Sequence, residues 1–124
     1  MKVELLPRKE FEFILDSGEV IKGKYGTWAA KRFCDKKQLS IVDYIERFAD
    51  SSKLSFDDIC LLLLCSVEYI HRKNVGGAFK YTDIDACEWL EGIGGIGSEQ
   101  FVSLLNHFAS ELEPEKKTQA MTEN

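Results

Sequence analysis

The sequence predicts an α+β fold, mostly α-helical, in which an N-terminal β-hairpin packs on a bundle of about four to five helices. Three observations support this prediction. Residues 9–15 alternate between two side-chain sets, the period of a strand with one buried face. Residues 55–74 are long, largely apolar and bounded by helix start and stop signals. Two further helical patterns, at 83–91 and 98–112, are separated by a glycine-rich segment.

The hairpin is predicted from two strand-like stretches joined by a short turn. Phe11 and Phe13 share one side of the first strand, and residues 20–25 return as the second strand. The turn between them contains Gly18, which can adopt positive φ. Residues 1–6 are expected to add a short edge strand. Because an isolated hairpin is barely stable, its apolar face is expected to lie on the helices.

The longest predicted helix is central to the chain. Ser55 is its expected N-cap and Asp58, three residues later, can complete a capping box. Basic residues 71–73 suit the negative end of the helix dipole. At 100° per residue, most of its apolar side chains share one broad face. These are Phe56, Ile59, Cys60, Leu63, Leu64, Val67 and Ile70.

Three apolar residues of this helix, Leu61, Leu62 and Cys65, lie off that face. Either neighbouring elements bury the helix on more than one side, or these residues form a second apolar surface for self-association or a client. Aromatic residues at element ends are either core edges or binding hot spots. The hypothetical partner surface consists of Leu61, Leu62, Cys65, Tyr69, Trp28 and Trp89.

The shorter helices are predicted from capping residues. Thr27 is expected to cap a helix over 28–37, Ser40 the next one, Thr82 a helix over 83–91, and Ser98 the last helix. Several apolar side chains are expected to point inward from these helices. They are Ala29, Ala30, Phe33 and Cys34; Ile41, Tyr44, Ile45 and Phe48; Ile84, Cys87 and Leu90; and Phe101, Val102, Leu104, Leu105, Phe108 and Leu112.

Length and composition favour one domain over residues 1–112, followed by a polar tail, 113–124, that is expected to be disordered. A net charge of −5 at pH 7 argues against nucleic-acid binding. No apolar run approaches the roughly 20 residues of a membrane span, and no signal peptide is recognised. The four cysteines are scattered, as buried free thiols of a cytoplasmic protein would be. The expected location is therefore the cytoplasm.

No catalytic, cofactor or metal site is predicted. Gly92, Gly94 and Gly97 match G-x-G-x-x-G, but the motif joins two helices instead of following a strand. Cys60 and Cys65 point about 140° apart on a helix, so they do not converge on zinc. His71 is expected at the edge of the core face and His107 on a solvent face, where neither suggests a Cys–His pair. We expect a protein that is not an enzyme.

The order of patterns resembles the tail assembly chaperones of long-tailed, siphovirus-like bacteriophages or prophages. A hairpin leads into a basic segment with an early aromatic residue, 25–37, then a Ser-Ile-Val-Asp segment at 40–43, then a Leu-rich helix from residue 54. The resemblance covers about residues 9–112. It implies a non-enzymatic chaperone that binds the tape measure protein and keeps it soluble while the tail assembles.

The same resemblance implies the partners and the location of the protein. They are the tape measure protein, the tail tube protein in members with a C-terminal extension, and further copies of the chain. The chaperone would act in the bacterial host cytoplasm and be absent from the mature virion. The alternative is a generic small α+β adaptor or oligomerisation module with no phage role.

Overall fold

The computed structural model describes residues 1–111, so Leu112, predicted to point inward, and the predicted tail at 113–124 lie outside the described residues. The fold is α+β and mostly α, as predicted: a small N-terminal sheet is followed by five helices. A short 3₁₀ turn, Ser51–Lys53, separates the second and third helices. The elements are β1 (Lys2–Leu5), β2 (Glu10–Ile14), β3 (Val20–Lys24), α1 (Thr27–Lys37), α2 (Ile41–Ala49), α3 (Phe56–Asn74), α4 (Asp83–Gly92) and α5 (Glu99–Glu111).

The sheet has three antiparallel strands in the order β1-β2-β3, so the expected edge strand is present beside the hairpin. Phe13 lies between Val3 of β1 and Ile21 of β3 in the register. Phe11 is paired with Gly23, and its ring lies where a Cβ at Gly23 would be. The absence of a side chain at position 23 therefore lets the Phe11 ring cross β3. The predicted alternation is confirmed, since Phe11, Phe13 and Ile21 are all buried.

The central helix α3 contacts α1, β3 and α4. Its neighbours therefore cover it from more than one direction. Leu62 and Cys65 are buried together with four residues of the predicted main face, Ile59, Cys60, Leu63 and Val67, whereas Leu64 and Ile70 are half-buried and the prediction is wrong for Phe56, which is exposed at the start of the helix. This outcome decides between the two explanations for the surplus apolar residues. Burial of α3 on several sides explains why Leu62 and Cys65 are apolar although they lie off the main face, because α3 has neighbours in more than one direction.

The predicted helix caps are confirmed with one exception. Ser55 Oγ accepts from the Asp58 amide at 3.1 Å, and the Asp58 carboxylate accepts from the Ser55 amide at 3.0 Å, completing the capping box. Ser40, Thr82 and Ser98 also occupy their predicted capping positions. The prediction for Thr27 is wrong: the N-cap is Gly26, which offers no side-chain acceptor, and Thr27 is already helical.

In the part of the chain that the structure describes, two acidic side chains are buried and both are ion-paired. Asp58 is 1% exposed and accepts from Arg47 at 2.9 Å. Its other cationic partner, Lys37, lies 3.3 Å away. Burial by itself raises the pKa of Asp58, but the Ser55 amide, Arg47 and Lys37 outweigh burial and hold the pKa below its usual value. Glu68 pairs with Arg32 of α1, whose Nε lies 3.3 Å from Oε1, and with Arg72 of α3, whose Nη2 lies 2.9 Å from Oε2.

Some predicted inward-facing residues point outward. On α2, Tyr44 and Phe48 are buried against Phe33 of α1, with ring centroids 5.5 and 5.2 Å from its ring. Ile41 and Ile45 are exposed, because this single stripe already fills the contact with α1. Other residues from the predicted inward sets are exposed as well, because only part of each apolar stripe has a neighbour. They are Ile84, Cys87 and Val102.

The four cysteines are all free thiols, as expected, but they are not all buried. Cys60 and Cys65 are buried, Cys34 is half-buried and Cys87 is exposed. The Sγ atoms of Cys60 on α3 and Cys87 on α4 lie 3.8 Å apart. A small movement of the side chains would bring these sulfurs to the roughly 2.05 Å of a disulfide bond.

Diamide is therefore expected to join Cys60 to Cys87 within one chain, with the two thiols losing two protons and two electrons to the reagent. Burial, and next the contact with Cys87, raise the pKa of Cys60 to about 12, so the reaction should accelerate as pH rises. Peptide mapping by mass spectrometry without reduction identifies the linked pair. Cys87→Ser should abolish the product. A Cys60–Cys65 link instead would contradict the α3–α4 packing.

Candidate binding site

Three of the six residues predicted to form a partner surface belong to the core. The exposed fractions of Leu62, Cys65 and Trp89 are 0%, 1% and 5%. The Trp89 ring stacks on Phe13 of the sheet, with centroids 5.7 Å apart. The proposed surface is therefore wrong for these residues, because α1 and the sheet cover the sides of the helices that carry them.

The other three residues are half-buried and reach the surface in part. Leu61 packs against the edge of the core. Trp28 on α1 and Tyr69 on α3 lie together, with ring centroids 6.0 Å apart. Two cations cover this aromatic pair: the Arg72 guanidinium lies 5.8 Å from the Trp28 centroid and the Lys73 ammonium 5.8 Å from that of Tyr69. Trp28 and Tyr69 thus form an aromatic wall.

This aromatic wall borders a cavity of about 640 Å³, which we call the cationic cavity. Its size falls within the range of roughly 300–1,000 Å³ typical of ligand pockets. The cavity lies where the β1–β2 turn, the end of β3, the beginning of α1 and one residue of α3 meet. It is lined by Arg8, Lys9, Lys24, Gly26, Thr27, Trp28, Ala29, Lys31 and Tyr69.

The β1–β2 turn brings two cations to this cavity. Pro7 follows β1 after one residue, and both Arg8 and Lys9 adopt left-handed backbone, with φ of 62° and 68°. The Lys9 carbonyl accepts from the amide of Tyr25 at 3.0 Å, which holds the turn beside the end of β3. Lys24, the last residue of β3, therefore lies at the same cavity as the turn.

The cavity is strongly cationic although the chain carries a net charge of −5. Four of its lining residues are basic and none is acidic. Among the described side chains, which do not include those of residues 51, 110 and 111, no carboxylate forms an ion pair with Arg8, Lys9 or Lys24. Lys31 pairs with Asp35 one helical turn away, at 3.3 Å, and both side chains are largely exposed. Such an exposed pair contributes little and can open readily.

The beginning of α1 adds to the positive potential at the cavity. Gly26 provides no side-chain cap, and the first turn of α1 contains no acidic residue. The first backbone bond of the helix runs from the Ala30 amide to the Gly26 carbonyl, 3.0 Å away. The preceding amides, which belong to residues 27–29 on the cavity wall, carry the positive end of the helix dipole.

A second surface, which we call the α2 face, is apolar. It consists of Ile41, Val42 and Ile45, which are 57%, 58% and 47% exposed. Phe56 at the start of α3 and Val102 of α5 are also exposed. Both lie on elements connected to α2: α5 contacts α2, and the Phe56 ring stacks on Phe101 of α5 with ring centroids 6.2 Å apart. These connected elements carry five of the nine large exposed apolar side chains among the described residues.

The remaining candidate groups are separate from both surfaces. His71 is half-buried with its ring 5.8 Å from that of Phe79. The expectation for His107 is wrong: its Nε2 lies 3.0 Å from the Leu6 carbonyl and its ring contacts Tyr25, because α5 packs on β1. The glycine-rich segment connects α4 to α5, as predicted.

The described residues, 1–111, hold neither a metal-site cluster nor a membrane-spanning helix. In that part of the chain, no three or more His, Cys, Asp or Glu side chains are grouped as a metal site would need. No helix in the same range has the length and apolar content needed to cross a bilayer.

The sequence reasoning identified Trp28 and Tyr69 but missed the basic residues around them and the α2 face. Arg8, Lys9, Lys24 and Lys31 are scattered along the chain, and only the sheet register and the start of α1 bring them together. A local signal did exist for the α2 face: Val42 did not fit the inward set of its helix. Four hydrophobic residues among the five at 41–45 exceed what one buried stripe requires.

Fold and surfaces together define a mostly α-helical α+β protein with one cationic cavity and one exposed apolar face in its described part. Comparisons with protein-family models, curated proteins and solved structures gave no significant match.

Proposed function

We propose that this protein is a non-enzymatic tail assembly chaperone of a long-tailed bacteriophage or prophage. In this function it binds the tape measure protein in the bacterial cytoplasm and keeps it soluble during tail assembly. The observation that carries the proposal is the exposed α2 face. The order of sequence patterns, from hairpin through basic helix to Leu-rich helix, supplies the family to which the proposal refers.

The α2 face has the chemistry to bind an amphipathic helix. Its three β-branched side chains are about half exposed, and covering such a side chain fully contributes roughly 1.5–3 kcal/mol relative to leaving it in water. A client helix would place its own apolar stripe on this face, as in other helix-binding proteins. The tape measure protein is long and helical in the family that the sequence resembles, so it offers many such stripes.

The test is co-expression with the protein encoded immediately downstream, which should be a long helical protein under this proposal. Wild type should keep this client soluble, and Ile41→Glu/Ile45→Glu should reduce the soluble, co-purifying client about tenfold. The matched control is Val75→Glu/Ile84→Glu, which replaces two apolar residues away from α2 that are more exposed still, at 76% and 68%. The control should retain the client.

Circular dichroism must show that both double variants are folded. A wild type that fails to keep the client soluble would refute the chaperone function. Equal loss in both variants would remove the α2 face as the binding surface. If instead the wild type forms a homodimer that only the α2 variant disrupts, and no client is retained, the oligomerisation module is the better function.

A further inference from the structure

We propose that the cationic cavity is a second binding site, which takes an acidic segment of a partner protein with an apolar or aromatic residue among its carboxylates. The carboxylates would pair with Arg8, Lys9 and Lys24, and the apolar residue would contact the wall of Trp28 and Tyr69. This inference does not rest on the proposed function, because none of the lining residues belongs to the α2 face.

The charge of the cavity favours an anionic ligand. Arg8, Lys9 and Lys24 come from two segments that a main-chain hydrogen bond holds together. All three line one concavity, and none has a carboxylate partner among the described side chains. Like charges gathered in this way repel one another. A ligand with several negative charges relieves that repulsion and gains paired, partly desolvated contacts.

The aromatic wall offers a contact for an apolar or aromatic residue of the ligand. Trp28 and Tyr69 are half-buried, so part of each side chain is available for contact. Arg72 and Lys73 lie over these rings and hold cations at the rim of the wall. A site with an aromatic wall and surrounding cations suits a segment in which acidic residues flank an apolar one, since aromatic residues and arginine are enriched at binding hot spots.

The charge of the rest of the molecule selects among anionic partners. Nucleic acid would extend its phosphates beyond the cavity over a chain whose net charge is −5, where the long-range repulsion opposes binding. A short acidic segment places its charges inside the cavity alone. The cavity therefore favours a segment of a protein over a nucleic acid.

The probe is a fluorescein-labelled synthetic peptide in which glutamates flank a single phenylalanine, titrated with the full chain in low salt and followed by fluorescence anisotropy. Lys24→Glu/Lys31→Glu should weaken binding about tenfold, the expected sum of two reversed surface charges. Because the interaction is between exposed charges, added salt should weaken binding to the wild type as well.

A matched control is available on the same two elements. Lys22→Glu/Lys36→Glu also reverses one lysine of β3 and one of α1, yet neither residue lines the cavity. This control should bind the peptide within about twofold of wild type. A peptide with glutamine in place of glutamate should not bind measurably. Arg8→Gln is a milder second variant, which should weaken binding in the same direction without reversing charge.

Several outcomes would overturn the inference. They are no binding to wild type in low salt, equal weakening by the cavity and control variants, or equal binding of the glutamine peptide. Pyrophosphate is included as a competitor, and a cavity that binds pyrophosphate but not the peptide would be a phosphate site instead. A cavity variant that loses peptide binding but keeps the client soluble, or an α2 variant that loses the client but still binds the peptide, would show that the two sites act independently.

Discussion

Replacing Asp58 by alanine is expected to lower the free energy of unfolding by about 2–4 kcal/mol, because it removes a helix cap and a buried charge together. The carboxylate completes the capping box with Ser55 and pairs with Arg47 and Lys37. The loss should stay below that of fully buried ion pairs, since both basic partners are about one-quarter to one-third exposed and can turn to water. Urea denaturation gives the value directly.

The same variant should show how stability depends on pH. The folded-state pKa of Asp58 lies below its unfolded value, so its contribution is fully present above the unfolded pKa, about 3.9, and is lost as pH falls toward the folded pKa. The difference between wild type and Asp58→Ala should therefore be constant from about pH 5 upward and shrink below pH 4. A difference that grows on acidification would contradict the assigned pKa direction.

Asp57 provides the comparison, as it occupies the same helical turn and also contacts Lys37, but its side chain is 75% exposed. Asp57→Ala should cost no more than about 1 kcal/mol, the range of surface ion pairs. Equal losses at positions 57 and 58 would mean that burial of Asp58 does not strengthen its interactions.

Replacing Leu62 by glutamate is expected to leave the chain unfolded at 25 °C, because it puts a carboxylate where no side-chain surface is exposed. Burial of an unpaired charge and loss of a core leucine together approach or exceed the roughly 5–15 kcal/mol stability of a typical domain. Circular dichroism and thermal unfolding distinguish the outcomes. The milder Leu62→Ala should remain folded with a loss of about 2–5 kcal/mol.

Leu61 is the adjacent control, since it is half-buried at the edge of the core. Leu61→Glu should fold and lose about 1–2 kcal/mol, because its carboxylate can reach water. A folded, soluble Leu62→Glu would place position 62 at the surface and restore it as a binding residue. Comparing Leu61→Glu with Leu62→Glu thus shows which of these two neighbouring positions belongs to the core and which to the surface.

The local features of this protein follow from short stretches of its sequence. Ser40, Ser55 and Thr82 cap helices where predicted, and the alternation around Phe11 and Phe13 gives a strand with one buried side. Each of these depends on residues within three or four positions, so no distant partner is needed to predict it. The exception at Thr27 is a shift of one residue, from a side-chain cap to glycine.

The candidate surfaces depended on distant contacts. Leu62 and Cys65 lie outside the main stripe of α3, and they are buried because α3 packs against several neighbouring elements, among them α1. On α2, the apolar residues outnumber those that its neighbours can cover, so contact with Phe33 decided that Tyr44 and Phe48 turn inward. Helical period gives the angle between side chains but not which side meets a neighbour.

By itself, the sequence determined the fold class, the order of elements and most helix starts, because capping and periodicity are local. Only the tertiary structure decided what is surface and what is core. It buried three of the six predicted contact residues, left the α2 face open and gathered cations from positions 8, 9, 24 and 31 around Trp28 and Tyr69. The physical reason is that burial and charge clustering depend on which elements meet, and those contacts join residues far apart in the chain.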